Sequence, residues 1–182
     1  MVDQASGTHS GSEGDQVCLK AALRGTFDVS VMNFGSYNIL YAANVNADGG
    51  RRHGQERAVE TVQDGVSMAE DLLVGYRRSP MELVLCPVDL TEALPRAAGD
   101  LQEAPVISVP LAVNMTNLAG MAADGRTVAI TLSTGHQVVL EVQPRVHFSD
   151  LPQALLDQSR DVQDFYDFVD LFMDTLEGMS SI

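Results

Sequence analysis

The stretch Thr127–Val142 limits the possible folds more than any other part of the chain. It reads Thr-Val-Ala-Ile-Thr-Leu, then Ser-Thr-Gly-His, then Gln-Val-Val-Leu-Glu-Val. Val128, Ile130 and Leu132 alternate with Thr127, Ala129 and Thr131, and Val138, Leu140 and Val142 alternate with Gln137, Val139 and Glu141. Alternation of β-branched residues on both sides of a glycine-containing loop predicts an antiparallel hairpin with one buried face. A helix-only fold is thereby excluded.

The remaining segments extend this sheet. Phe27, Val29 and Val31 alternate with Asp28 and Ser30 and predict a strand, and Tyr37–Val45 predicts the strand that returns beside it. Val59, Val62, Val66, Ala69 and Leu73 recur at helical spacing, so Gln55–Val74 is expected to be a helix, with Gly75 ending it. Met81–Val88 predicts a buried strand with Pro87 at its end, and Val106–Val113 an edge strand interrupted by Pro110. Thr91 is placed to cap a short helix. Ser149 is placed to cap the long C-terminal one, with Pro152 in its first turn. Strands in a row with helices set apart predict an α+β protein: a largely antiparallel sheet, helices packed on one face, and a long acidic C-terminal helix. One domain is expected from residue 17 to residue 177, after a disordered, polar tail at 1–16 and before a short tail at 178–182.

Charge narrows the function classes. The 182 residues carry a net charge of −14, and Lys20 is the only lysine. Binding to a nucleic-acid backbone or an anionic membrane surface needs clustered basic residues, so neither is expected. No apolar run approaches the ~20 residues of a spanning helix, and a cytoplasmic location is the default expectation. A salt-adapted origin would also explain the acidity. Cys18 and Cys86 form no C-x-x-C pair, no nucleotide-binding or hydrolase motif occurs, and no cofactor is expected.

The most distinctive segment is the C-terminal one. Val162, Phe165, Val169, Phe172 and Leu176 form one helical stripe, flanked by Phe168, while Asp161, Asp164, Asp167, Asp170, Asp174 and Glu177 recur every three or four residues. From Asp150 onward there are eight acids and one base, half of the net charge of −14. Such a helix can dock into a basic or apolar groove of a partner protein, or onto a second copy of itself. It can equally pack its aromatic side on its own sheet and turn its acids to water. On the docking reading, the partner-binding residues are Asp161, Asp164, Phe165, Phe168, Phe172 and Asp174. These acids lack the glycine-containing loop spacing of a calcium site, so no metal site is expected.

Two further features compete. Arg51-Arg52 and Arg77-Arg78 are basic pairs in an acidic chain and are candidate anion contacts, although Arg77 and Arg78 could instead hold the acidic helix on the body. Cys86, near Asp89 and with a histidine brought close by folding, is the candidate nucleophile of a small enzyme or ligand-binding domain. The leading expectation is a non-catalytic interaction module, such as an adaptor, chaperone or accessory subunit. The Cys86 enzyme is the alternative.

Overall fold

The structure is a computed structural model that describes residues 11–31, 36–47, 61–97, 108–149 and 151–180. In chain order the elements are α1 (Gly11–Ser30), β1 (Asn38–Asn44), α2 (Val62–Met68), β2 (Asp71–Arg78), β3 (Met81–Pro87), α3 (Leu90–Ala97), β4 (Leu111–Val113), β5 (Leu118–Asp124), β6 (Thr127–Leu132), β7 (Gln137–Glu141), β8 (Arg145–Phe148), β9 (Leu151–Asp157) and α4 (Ser159–Ser180). Seven strands form one antiparallel sheet in the order β4-β3-β2-β1-β7-β6-β5, and β8 pairs with β9 in a separate hairpin. The α+β architecture expected from the sequence is present.

The helices lie on both faces of the sheet, not on one. Leu72, Val74, Tyr76, Leu83 and Leu85 pack with Phe165, Phe168, Val169 and Phe172 of α4 on one face. Leu73, Val84 and Cys86 pack with Leu19, Leu23 and Phe27 of α1 on the other. Successive strand residues point to opposite faces, so the unbroken apolar runs Leu72-Leu-Val and Leu83-Val-Leu-Cys require cover on both sides. In β6 and β7 only alternate residues are buried, and among the described residues that half of the sheet is covered on one face, by α4 and Val66 of α2.

Three local expectations give way to tertiary packing. Residues 27–30 belong to α1 and the Val31 amide donates back to the Phe27 carbonyl at 2.8 Å, because Leu19, Leu23, Phe27 and Val31 are buried at four-residue spacing while Val29 is 40% exposed. That helix begins at Gly11, inside the stretch expected as a tail; residues 1–10 lie outside the described residues. Of the helix expected over Gln55–Val74, residues 55–60 lie outside the described residues; α2 is capped by reciprocal bonds between Thr61 and Asp64 and ends at Met68, and the chain from Asp71 is strand. Ser149 sits in the β8–β9 turn, so α4 starts ten residues later, where Asp157 accepts from the Ser159 amide at 3.1 Å.

The centre of the sheet has a weak seam. β1 and β7 share only the pairs Ala43↔Glu141 and Asn44↔Leu140. Beyond them a side chain takes over: the amide of Gln158, 2% exposed, accepts from Tyr41 N at 2.9 Å and donates to Tyr41 O at 2.9 Å and Gln143 O at 2.7 Å. It bridges the splayed strands as a peptide group would.

Candidate functional site

The C-terminal helix supplies the candidate surface, and burial divides its residues. Phe165, Phe168 and Phe172 are fully buried, with Tyr76 between the first two at ring distances of 5.3 and 5.2 Å. Burying each phenylalanine contributes about 1.5–3 kcal/mol at most. The neighbouring acid pairs between Asp161 and Glu177 oppose this with roughly 0.2–0.5 kcal/mol apiece. The aromatic side therefore wins and is core in this arrangement. The three phenylalanines expected to meet a partner are instead what fixes α4 to its own sheet.

The acids separate into anchors and an outer row. Asp164 receives a two-pronged contact from Arg78, Nη2 to Oδ1 at 2.9 Å and Nη1 to Oδ2 at 3.1 Å, and Asn38 donates to the same carboxylate at 3.1 Å. The Tyr76 hydroxyl lies 3.0 Å from Asp164 Oδ2 and 3.1 Å from the Asp161 carbonyl. Arg78 holds the Asp164 carboxyl below the usual carboxylate range, and burial, reinforced by Asp164, pushes the Tyr76 phenol up. Asp161 pairs with Lys20 of α1 at 3.3 Å. Asp161 and Asp164 thus serve the fold. Asp167, Asp170 and Asp174 are exposed, and among the described residues no lysine or arginine forms an ion pair with any of them. Asp174 was expected on this surface. Asp167 and Asp170 were passed over, although their offset from the buried stripe marks them in the sequence.

Arg77 and Arg78 do not act as a pair. Arg77 and Arg78 are consecutive in β2 and point to opposite faces. Arg78 is held by α4, as one reading of the sequence had it. Arg77 instead binds Glu82 at 2.6 Å and lies 4.6 Å over the Tyr37 ring. Tyr37 also donates to Glu82 at 2.6 Å, and burial pushes its phenol up to about 12. Arg51, Arg52 and His53 lie outside the described residues.

Cys86 is fully buried among the side chains that meet α1, and burial pushes its thiol up to about 11. A nucleophilic cysteine needs the opposite shift. Its neighbour Asp89 accepts from the Thr91 amide at 2.8 Å and so caps α3, the role expected of Thr91. A groove of about 690 Å³ beside it is lined by Tyr41, Asp71, Asp89 and His147. There the Tyr41 hydroxyl donates to Asp71 at 2.5 Å, and burial raises the Asp71 carboxyl. Among the described residues no cluster of His, Cys, Asp and Glu is arranged to hold a metal ion, and no helix is long and apolar enough to cross a membrane.

A second concavity, of about 710 Å³, lies where the end of α4 meets β5, and its lining includes Met115, Leu118, Met121, Met173, Leu176 and Met179 together with Glu177. No protein-family model, curated protein or solved structure matches this chain.

Proposed function

We propose that the chain is a non-catalytic protein-interaction module, an adaptor, chaperone or accessory subunit of the cytoplasm, and that it meets a basic partner surface with the outer side of α4. The observation that carries this reading is the row Asp167, Asp170 and Asp174. These acids stand exposed and without an ion pair among the described residues, whereas Asp161 and Asp164 are matched by Lys20 and Arg78. Their mutual repulsion destabilises α4, and a basic partner removes that penalty on binding while gaining electrostatic complementarity. The buried, alkaline-shifted Cys86 thiol gives the enzymatic alternative no support. The test is affinity capture from the native lysate with the wild-type chain and with Asp167→Lys/Asp170→Lys/Asp174→Lys. A specific protein retained by the first and lost by the second, with a melting temperature no lower than wild type and weaker retention at high salt, is expected. Identical capture by both chains would sink the proposal.

A further inference from the structure

The seven-stranded sheet has two edges of different character. Natural edges are blunted by shortness, proline, lysine or a covering element. β4 follows that pattern, being three residues long and preceded directly by Pro110. β5 does not. It has seven residues, Leu-Ala-Gly-Met-Ala-Ala-Asp, with no lysine, arginine or proline, and Ala119, Ala122 and Ala123 are exposed. A register shift lies between Leu118 and Gly120, after which Gly120–Asp124 pairs regularly with Thr127–Thr131. Among the described residues no strand pairs with its outer side.

Beside this edge lies the methionine-rich groove. Met121 of β5 faces Met173 and Leu176 of α4 across the same core, and Met179 is 59% exposed at the groove's end. Methionine is flexible and polarizable, and surfaces built from it adapt to varied apolar side chains. Acids stand on the same two elements: Asp124 ends β5, Asp174 is exposed on α4, and Glu177 lines the groove wall.

We infer that the β5 edge takes up an extended segment of a partner chain as an eighth strand, one that is apolar at alternate positions and flanked by lysine or arginine. This rests on the reading of the protein as an interaction module and names the site and the partner class. The open backbone of β5 supplies the hydrogen bonds, as in other strand additions. Alternate side chains of the incoming strand point to one face, so every second residue reaches the groove while its neighbours face water. The acids select the basic flanks. A second copy would bring a chain of the same net charge of −14 against the same acids, which argues against self-pairing.

The experiment uses the full chain and a synthetic peptide of alternating valine and threonine with paired lysines at each end. Binding is read by fluorescence anisotropy and by hydrogen exchange of the β5 amides. The expected result is slowed exchange at β5, binding weakened roughly tenfold or more when alternate peptide amides are N-methylated, and weaker binding to Asp124→Lys/Asp174→Lys. Equal binding of methylated and unmethylated peptides, or unprotected β5 amides, overturns the strand addition. The lysate comparison with the α4 triple variant then decides the interaction-module reading separately. Slowed β5 exchange in the peptide-free chain, with a mass that rises with concentration, makes the occupant a second copy and overturns the partner assignment.

Discussion

Gly75 and Phe27 give the sharpest test of how α1 is seated. A Cβ built on Gly75 would lie 2.2 Å from Phe27 Cζ and 2.7 Å from Cε2, against an ordinary carbon contact of about 3.5–4.0 Å. The overlap exceeds an ångström, so the ring has to move. Phe27 is 1% exposed and packs edge-on against Tyr37 at 5.8 Å, which leaves the ring little room to yield. Gly75→Ala is therefore expected to destabilise the protein by about 1–3 kcal/mol, the usual cost of overpacking, even though alanine is less disruptive than glycine in a strand by propensity alone. Phe27→Leu removes the ring tip and costs stability by itself. Together the two changes should be less harmful than their sum, with a coupling of about 0.5–3 kcal/mol. Urea denaturation of the four proteins measures this, provided the m-value stays constant. In a domain of this size each kcal/mol corresponds to about 2–4 °C in Tm. Strictly additive effects, or a neutral Gly75→Ala, would refute the docking of α1 on β2.

Other expectations follow from the same contacts. Gln158→Leu strands the Tyr41 amide and two carbonyls at the β1–β7 seam, and at about 1–3 kcal/mol per unpaired buried group it should lower stability by at least ~2 kcal/mol; a loss below ~0.5 kcal/mol in urea titration would contradict the bridging role. Arg78 lowers the folded-state pKa of Asp164, so this pair stabilises fully at neutral pH, above the unfolded carboxylate pKa of about 3.9. Its contribution is lost as pH falls through the lower folded value. Asp164→Asn should flatten the acid limb of the stability curve while costing no more than ~1 kcal/mol at pH 7, because the pair is partly exposed; an unchanged acid limb would refute the assignment. In a Cys18→Ser background the Cys86 thiol should react with a maleimide only as fast as the protein opens, and rapid labelling at pH 7 would restore the nucleophile.

Much of the sheet could be read from the sequence because its signals are local. Thr127–Val142 alternates strictly and sits where expected, with Gly125 and Gly135 at positive φ in the turns on either side of β6. Met81–Pro87 is apolar apart from Glu82 and is an interior strand. The misassigned segments are those in which one pattern satisfies two periods. Phe27, Val29 and Val31 fit an alternating strand, but Leu19, Leu23, Phe27 and Val31 also fit a helix, and only the longer window separates them. Val66, Ala69 and Leu73 keep helical spacing across a boundary that Asp71 crosses into β2 because Leu72 and Leu73 are needed on opposite faces. At the candidate surface, the acids of α4 were visible in the sequence. Their division into anchors and an outer row depends on Lys20 and Arg78, which come from distant elements. That β5 has no strand on its outer side among the described residues follows from strand order, which pairwise alternation does not encode.

The seam closed by Gln158 also sets a timetable. Its two partners are 117 residues apart in the chain, and a ribosome adding about 5–20 residues per second needs roughly 6–23 s to cross that distance. Between the synthesis of β2 and that of β7, β1 can pair with β2 while its other side has neither β7 nor the glutamine amide. Non-local closures of this kind are slow. The nascent protein therefore carries a temporary open strand in what becomes the middle of its sheet, and that opening closes once β7 and Gln158 have been made.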